Sequence, residues 1–468
     1  MEKDATKKVD LGTGGVGRLL FRLSLPAVTA QIINVLYNMV DRMYIGHLPG
    51  VGASALTGVG VTFPAITAIS AFAALVSMGG APRASIMLGR GDKEKAELIL
   101  GNCTTALLTA SLLLTVGFLL YGRQILMMFG ASDATVEYGW SYMRVYSLGT
   151  VFVQLSLGLN AFINAQGYAK TGMLSVLIGA VCNIILDPIL MFGLRLGVTG
   201  AALATIISQG ISAAWVVLFL TSKRSYLNIR VRCMKPKKEI LMPALALGAA
   251  PFVMQSTESI LNICFNTSLL KYGGDLAVGA MTIQGSVMQF SMLPLQGMTQ
   301  GAQPVISFNY GAGKIERVSA AFRVLLRACL GYSALIWALC MFTPTVFIAI
   351  FTKDAALTEY CLRYIRVYMA ASLIFGAQIA CQQTFIALGN GRTSLFLALL
   401  RKVFLLIPLI YILPRLFGNK VLAVFLAEPA ADMIAVCTTV SLFYASFRKL
   451  KREILLSRAL RTGGNKEK

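Results

Sequence analysis

Apolar runs of roughly 20 residues, each long enough to cross a bilayer as a helix, recur along all 468 residues of this chain. A run inside hydrocarbon must pair its own backbone N–H and C=O groups, which a helix does. The sequence therefore predicts an all-α membrane protein with twelve spans, near 23–46, 55–80, 99–121, 140–164, 172–194, 198–220, 243–270, 277–305, 325–351, 364–388, 394–414 and 421–446. Charged residues make up only 13% of the chain, where a soluble protein carries about a quarter. The charged opening "MEKDATKKVD" and the long first run, with no small-residue cleavage site, predict that no signal is removed.

The net charge of +22 is distributed by topology. With the N-terminus inside and twelve spans, the inside segments hold 29 of the 42 Lys and Arg, which places both ends in the cytoplasm. Nucleic-acid binding would need a soluble basic surface interleaved with aromatics, and no segment is long enough to build one. The nine cysteines form no CxxC pair and read as packing residues. His47, the single histidine, falls at a helix end and cannot build a metal site alone. "GTGGVGR" (12–18) lacks the Lys-Ser/Thr of a P-loop and reads as a flexible leader. Without a nucleotide domain or catalytic motif, no enzyme and no cofactor are expected, and any uphill work must use an ion gradient.

The longest polar segment, Thr221 to Met242, lies near the midpoint, and the halves it separates repeat at an offset near 222–225. "GGAPRASIMLGRGDKEKA" (79–96) matches "GAQPVISFNYGAGKIERV" (301–318), and "FINAQGYAKTG" (162–172) matches "FIALGNGRTS" (385–394). Pro26 pairs with Pro251. The expected organisation is a cytoplasmic segment over 1–22, a first lobe over 23–220 and an inter-lobe linker over 221–242. A second lobe over 243–446 and a basic cytoplasmic tail over 447–468 follow. Transporters place substrate and coupling-ion sites at such repeat interfaces.

Polar residues form stripes on these spans. Gln31, Asn34, Asn38 and Asp41 share one face of the first, with Tyr37 at its edge. Span five carries Asn183 and Asp187 one turn apart, followed by Pro188, and span six carries Thr205. Counted inward from the outer ends, Asp41, Asp187 and Thr205 all lie roughly 8–11 Å deep. Two carboxylates, an amide and a hydroxyl at one level suit a small cation or a proton, since polar groups in a membrane face the bundle interior. A structural lock between Asp41 and the adjacent Arg42 is the alternative. In the second half Asp41 corresponds to Asn266 and Asp187 to Leu409, so the coupling site is expected in the first half. Glu258 is the one carboxylate on the stripe of span seven. Arg401 and Lys402 in span eleven, with Glu428 and Asp432 in span twelve, read as structural charge pairs.

"LSLPAVTAQIINVLYNMVDRMYIGHL", "GAVCNIILDPILMFGLRLGVTGAALATIISQ" and "MTQGAQPVISFNYGAGKIERV" resemble the multidrug and toxic compound extrusion (MATE) family in its prokaryotic forms. The resemblance covers roughly residues 15–450, and Asn-x-x-x-Asp-Pro is its most specific element. It implies twelve transmembrane helices in two pseudo-symmetric six-helix lobes forming a V, in the inner membrane of a prokaryote. It implies export of organic cations and amphipathic drugs in exchange for H+ or Na+, with the cation or proton bound at Asp41, Asn183, Asp187 and Thr205. The cargo cavity between lobes is expected to use Tyr37, Asn38, Asn160, Glu258, Gln284 and Met288, with a hinge at Pro26. Some members use an acidic pair in helices seven and ten. Glu258 resembles the first of these, but span ten offers only Gln378, Gln382 and Gln383. The partners expected are small-molecule drugs and membrane lipid, with no nucleic acid, and the protein is expected to be a monomer. A flippase for lipid-linked precursors would want a basic cavity, and a channel would want a ring-forming selectivity motif.

Overall fold

The computed structural model describes residues 9–49, 51–133, 135–352 and 354–463, and no strand occurs among them. The first six helices are α1 (Val16–Gly46), α2 (Gly52–Gly89), α3 (Lys93–Met128), α4, α5 (Ala169–Gly193) and α6 (Gly197–Thr221). Helix α4 is bent by 58° between Val136–Leu148 and Thr150–Ala165. One helical run, Lys238–Gly311, then contains two spans, because Gly274 breaks it with φ 67° and ψ −164°. Glycine adopts that backbone without a side-chain clash, and it separates α7 (238–273) from α8 (275–311). Helices α9 (Ile315–Phe342), α10, α11 (Gly391–Leu416) and α12 (Lys420–Gly463) follow, α10 being bent by 51° between Ala355–Tyr368 and Ser372–Ala387. The twelve expected spans are therefore present, in two lobes of six.

Two boundaries differ from the sequence reading. Helix α1 starts at Val16, seven residues before the apolar run at Leu23, because Leu19 and Leu20 are already buried. The ninth span stops at Phe342, short of the expected 351, where Pro344 starts a separate short helix, Pro344–Ala349. Proline has no N–H to continue a helix but suits a first turn.

The lobes touch at the end that carries residues 9–15 and the linker. Ser24 Oγ donates to the Met298 carbonyl at 3.1 Å, and Ser85 Oγ to the Pro304 carbonyl at 3.3 Å. A Cβ on Gly79 would collide with the Ala244 carbonyl, and one on Gly248 with the Leu75 carbonyl. Between lobes in lipid there is little hydrophobic drive, so such backbone-close packing carries the association. The helix starts are also exchanged. Leu19, Leu20 and Leu23 of α1 pack in the second lobe's core with Leu295, Val305 and Val318. Ala244 and Leu245 of α7 pack in the first lobe's core with Leu100 and Phe162. Helix α1 also packs against α5 of its own lobe, while Val28, just past Pro26, still lies against Gly297 of α8.

The glycine-rich leader is fastened rather than loose. Asn309 Nδ2 donates to the Leu11 carbonyl at 2.8 Å, Lys314 Nζ to Gly12 at 3.0 Å, and Arg317 to Thr13 and Gly14 at 3.0 and 2.9 Å. Val9 N reaches the Gly167 carbonyl of the first lobe at 3.4 Å, so residues 9–14 bridge both lobes. Carbonyls with no sequence signal collect the charges of the α8–α9 turn. The linker is likewise tied to the first lobe, where Gln166 Oε1 accepts from Tyr226 N and Leu227 N and Asn102 Oδ1 accepts from Lys237 N.

Candidate functional site

Asn183 and Asp187 sit one turn apart on α5, and Asn183 Nδ2 donates to Asp187 Oδ1 at 3.2 Å. Pro188 follows at once and contributes no N–H, and the helix widens over Ile189–Gly193 into a π turn, in which Leu194 N bonds to the Ile189 carbonyl. Such wide turns recur at functional sites. Helix α5 packs against α1 and α6, which bring Asp41 and Thr205. All four side chains are buried, with exposures of 9% for Asp41, 2% for Asn183, 0% for Asp187 and 9% for Thr205. Asp41 and Asp187 lie within electrostatic reach of each other.

Three of their oxygens, Asp41 Oδ1, Asn183 Oδ1 and Asp187 Oδ2, are buried without a hydrogen-bond donor. Thr205 Oγ1 spends its proton on the Ala201 carbonyl at 3.0 Å, which leaves its lone pairs to accept. Buried acceptors lacking a protein donor are places where a proton, a cation or an ordered water is held. Arg42 acts on Asp41 through its charge, with its guanidinium over the Phe63 ring at 5.2 Å from the ring centre. Tyr142, on α4, also lies within reach of Asp41. Its spacing of four from Tyr138 and Tyr146 was the available signal, and the sequence reading passed over it.

Next to this cluster lies a cavity of ≈ 260 Å³. First-lobe residues Gln31, Asn34, Tyr37, Asn160, Asn183, Thr205 and Gln209 line it, with Gln255, Gln300 and Gln303 from the second lobe. Asn183 and Thr205 belong to both cavity and cluster, so they form the wall between them. No charged residue lines the cavity among the described residues. Of the expected cargo residues, Tyr37 and Asn160 are on the wall and four are not. Asn38 is exposed, its amide donating to the Asn34 carbonyl at 2.6 Å. Gln284 is fully buried, and Met288 packs on the second lobe's core. Glu258 is ion-paired with Lys402. A polar or polarizable residue on a span was read as cavity-facing, whereas Gln284 and Met288 turn into the lobe. Gln300 and Gln303, one turn apart in "MTQGAQP", carried the missed signal.

The second-lobe charges form two sets of ion pairs. Arg401 Nε donates to Asp432 Oδ1 at 2.5 Å and its Nη2 to Glu428 Oε1 at 3.0 Å, with the guanidinium 4.5 Å above the Phe375 ring. Lys402 turns the other way, to Glu258. Over 364–388, span ten contributes Gln378, Gln382 and Gln383 and no acid, and Glu359 lies in the first segment of α10.

Twelve membrane-spanning helices in two repeated lobes, with a buried polar cluster and a cavity between them, define a multi-pass membrane transporter. The MatE family model matches this chain twice, over residues 26–189 and 251–412, beginning at the paired prolines, and the chain belongs to that family, the MATE transporters. It is 27% identical to the multidrug export protein MepA of Staphylococcus haemolyticus (strain JCSC1435) over 431 residues, 91% of this chain and 93% of the relative. To MepA of Staphylococcus aureus (strain NCTC 8325 / PS 47) it is 26% identical over 429 residues, 90% and 93% of the two chains. Among solved structures, an outward-facing multidrug-resistance MATE transporter of the MOP superfamily matches with TM-score 0.87 and 24% identity, over 95% of this chain and 99% of that one. A MOP superfamily transporter from Pyrococcus furiosus, described for the reverse polarity of its binding pocket, matches with TM-score 0.88 and 23% identity, over 95% and 99%.

Proposed function

We propose that this protein exports organic cations and amphipathic drugs from the cytoplasm in exchange for H+ or Na+. The observation that carries the reading is the trio of donor-less buried oxygens on Asp41, Asn183 and Asp187. Hard-cation ligation and protonation both need such oxygens. Asn183 and Thr205 form the wall shared by cluster and cavity, so a change at the ion is felt by the cargo. Differential affinity of two states for ion and cargo is all that coupling requires. The names of the MepA relatives agree with export of drugs.

The lysine and arginine bias puts the linker end in the cytoplasm. The lobes touch there, so the state described here opens outward. Opening inward would require Leu19, Leu20 and Leu23 to leave the second lobe, with Pro26 as the hinge within α1. A flippase would need a free cation for a lipid phosphate, and the uncharged cavity wall weighs against it.

The test is transport in proteoliposomes. A fluorescent organic cation is followed while a Na+ gradient or a pH gradient is imposed separately. Uphill movement driven by one gradient is expected. Equilibration at a rate indifferent to both would mean a channel and overturn the reading.

A further inference from the structure

The second lobe carries an exposed carboxylate, on the face of α7 that also bears the cavity-lining Gln255, that already holds a cation. Glu258 lies one helical turn beyond Gln255, a cavity-lining residue, and its side chain is 55% exposed. Its ion-pair partner Lys402 approaches from within the lobe, with a side chain only 6% exposed. Lys402 and Arg401 are consecutive, and on an α-helix they would point about 100° apart. Here α11 widens into a π-helix over Leu400–Leu406. That turn packs more residues per turn and lets both cations enter the lobe. Arg401 is committed to Glu428 and Asp432, which leaves Lys402 for Glu258.

We propose that Lys402 is a specificity-determining residue that masks Glu258 from cationic cargo. The ammonium is a resident counter-cation tethered to α11. An organic cation in the cleft therefore meets a second-lobe wall with no net charge. Uncharged amphipathic cargo is tolerated for the same reason. Lys402 acts through Glu258 and so shapes the charge preference of the cleft without touching cargo. This inference rests on the reading of the protein as a drug and cation exporter.

The experiment compares binding of tetraphenylphosphonium and of uncharged triphenylphosphine oxide to the purified full-length protein. The quantity read is the ratio of their dissociation constants, which a purely structural role would not move. Lys402→Met unmasks Glu258 and is expected to shift the ratio about tenfold toward the phosphonium. Lys402→Arg restores the wild-type ratio, and Glu258→Gln added to Lys402→Met removes the gain. A Lys402→Met ratio equal to or below wild type overturns the masking. Should Lys402→Met fail to fold, Glu258→Gln is compared with Glu258→Gln/Lys402→Met. Removing the ammonium left unpaired by Glu258→Gln must then raise the preference for phosphonium, and an unmoved ratio overturns the proposal. A wild-type protein that binds neither probe overturns the exporter reading and this inference with it.

Discussion

Arg401 is the residue whose removal should be felt most strongly in the second lobe. It is 4% exposed and serves two buried acids, Asp432 (2% exposed) at 2.5 Å and Glu428 (6% exposed) at 3.0 Å. Arg401→Met leaves both carboxylates in the lobe with no guanidinium. Breaking one buried ion pair costs about 3–5 kcal/mol, since the surviving charge is uncompensated. With two acids stranded, the loss should reach the upper part of that range. Replacing the whole trio by apolar side chains removes the stranded charge, and such replacements are often neutral or stabilising by about 1–4 kcal/mol. The triple variant Arg401→Met/Glu428→Met/Asp432→Leu should therefore recover most of the stability. Denaturant unfolding in mixed micelles measures both. A loss below about 1 kcal/mol for Arg401→Met would refute the reasoning, because the acids would then have to be neutral without the arginine.

Two further outcomes follow from the contacts at the linker end. Arg317→Ala removes bonds to Thr13, Gly14 and Asn309, each worth about 1.5–3 kcal/mol for a charged donor. Amide exchange over residues 9–15 should speed up at least tenfold, and unchanged protection would mean that Asn309 and Lys314 hold the strap alone. Gly248→Val places a side chain against the Leu75 carbonyl, where no space exists. The lobes should part at that end, lengthening a spin-label distance between α2 and α7. An unaltered distance would show that the glycine contact does not set the closure.

Hydropathy made the twelve spans legible because a bilayer demands long apolar helices, and the Asn183–Asp187 pair was legible because i, i+4 residues meet on one face. The depth count that set Asp41 at the level of Asp187 rests on a similar regularity, since helix rise is constant. Hydropathy cannot tell which lobe an apolar face meets, and so it missed Leu19, Leu20 and Leu23 crossing into the second lobe. The Lys402–Glu258 pair joins residues 144 positions apart, and it depends on a π turn that no local pattern marks. Gln284 and Met288 were misplaced because polarity and polarizability do not say whether a side chain faces a cleft or a lobe interior. The leader looked flexible from its glycines, although its fastening is made by their carbonyls, which every residue has.

The central claim is that Asp41 and Asp187 hold the exchanged ion. The direct test is gradient-driven transport of an organic cation in proteoliposomes, comparing wild type with Asp41→Asn and Asp187→Asn. Both variants keep side-chain size and lose the charge. A membrane potential of 100 mV is worth about 2.3 kcal/mol per charge, so coupling to one net charge can sustain a gradient of roughly fifty-fold. The account predicts that wild type builds such a gradient on one ion and that each variant only lets cargo equilibrate. Uphill transport retained by both variants would contradict it and leave the cluster a structural feature of the first lobe.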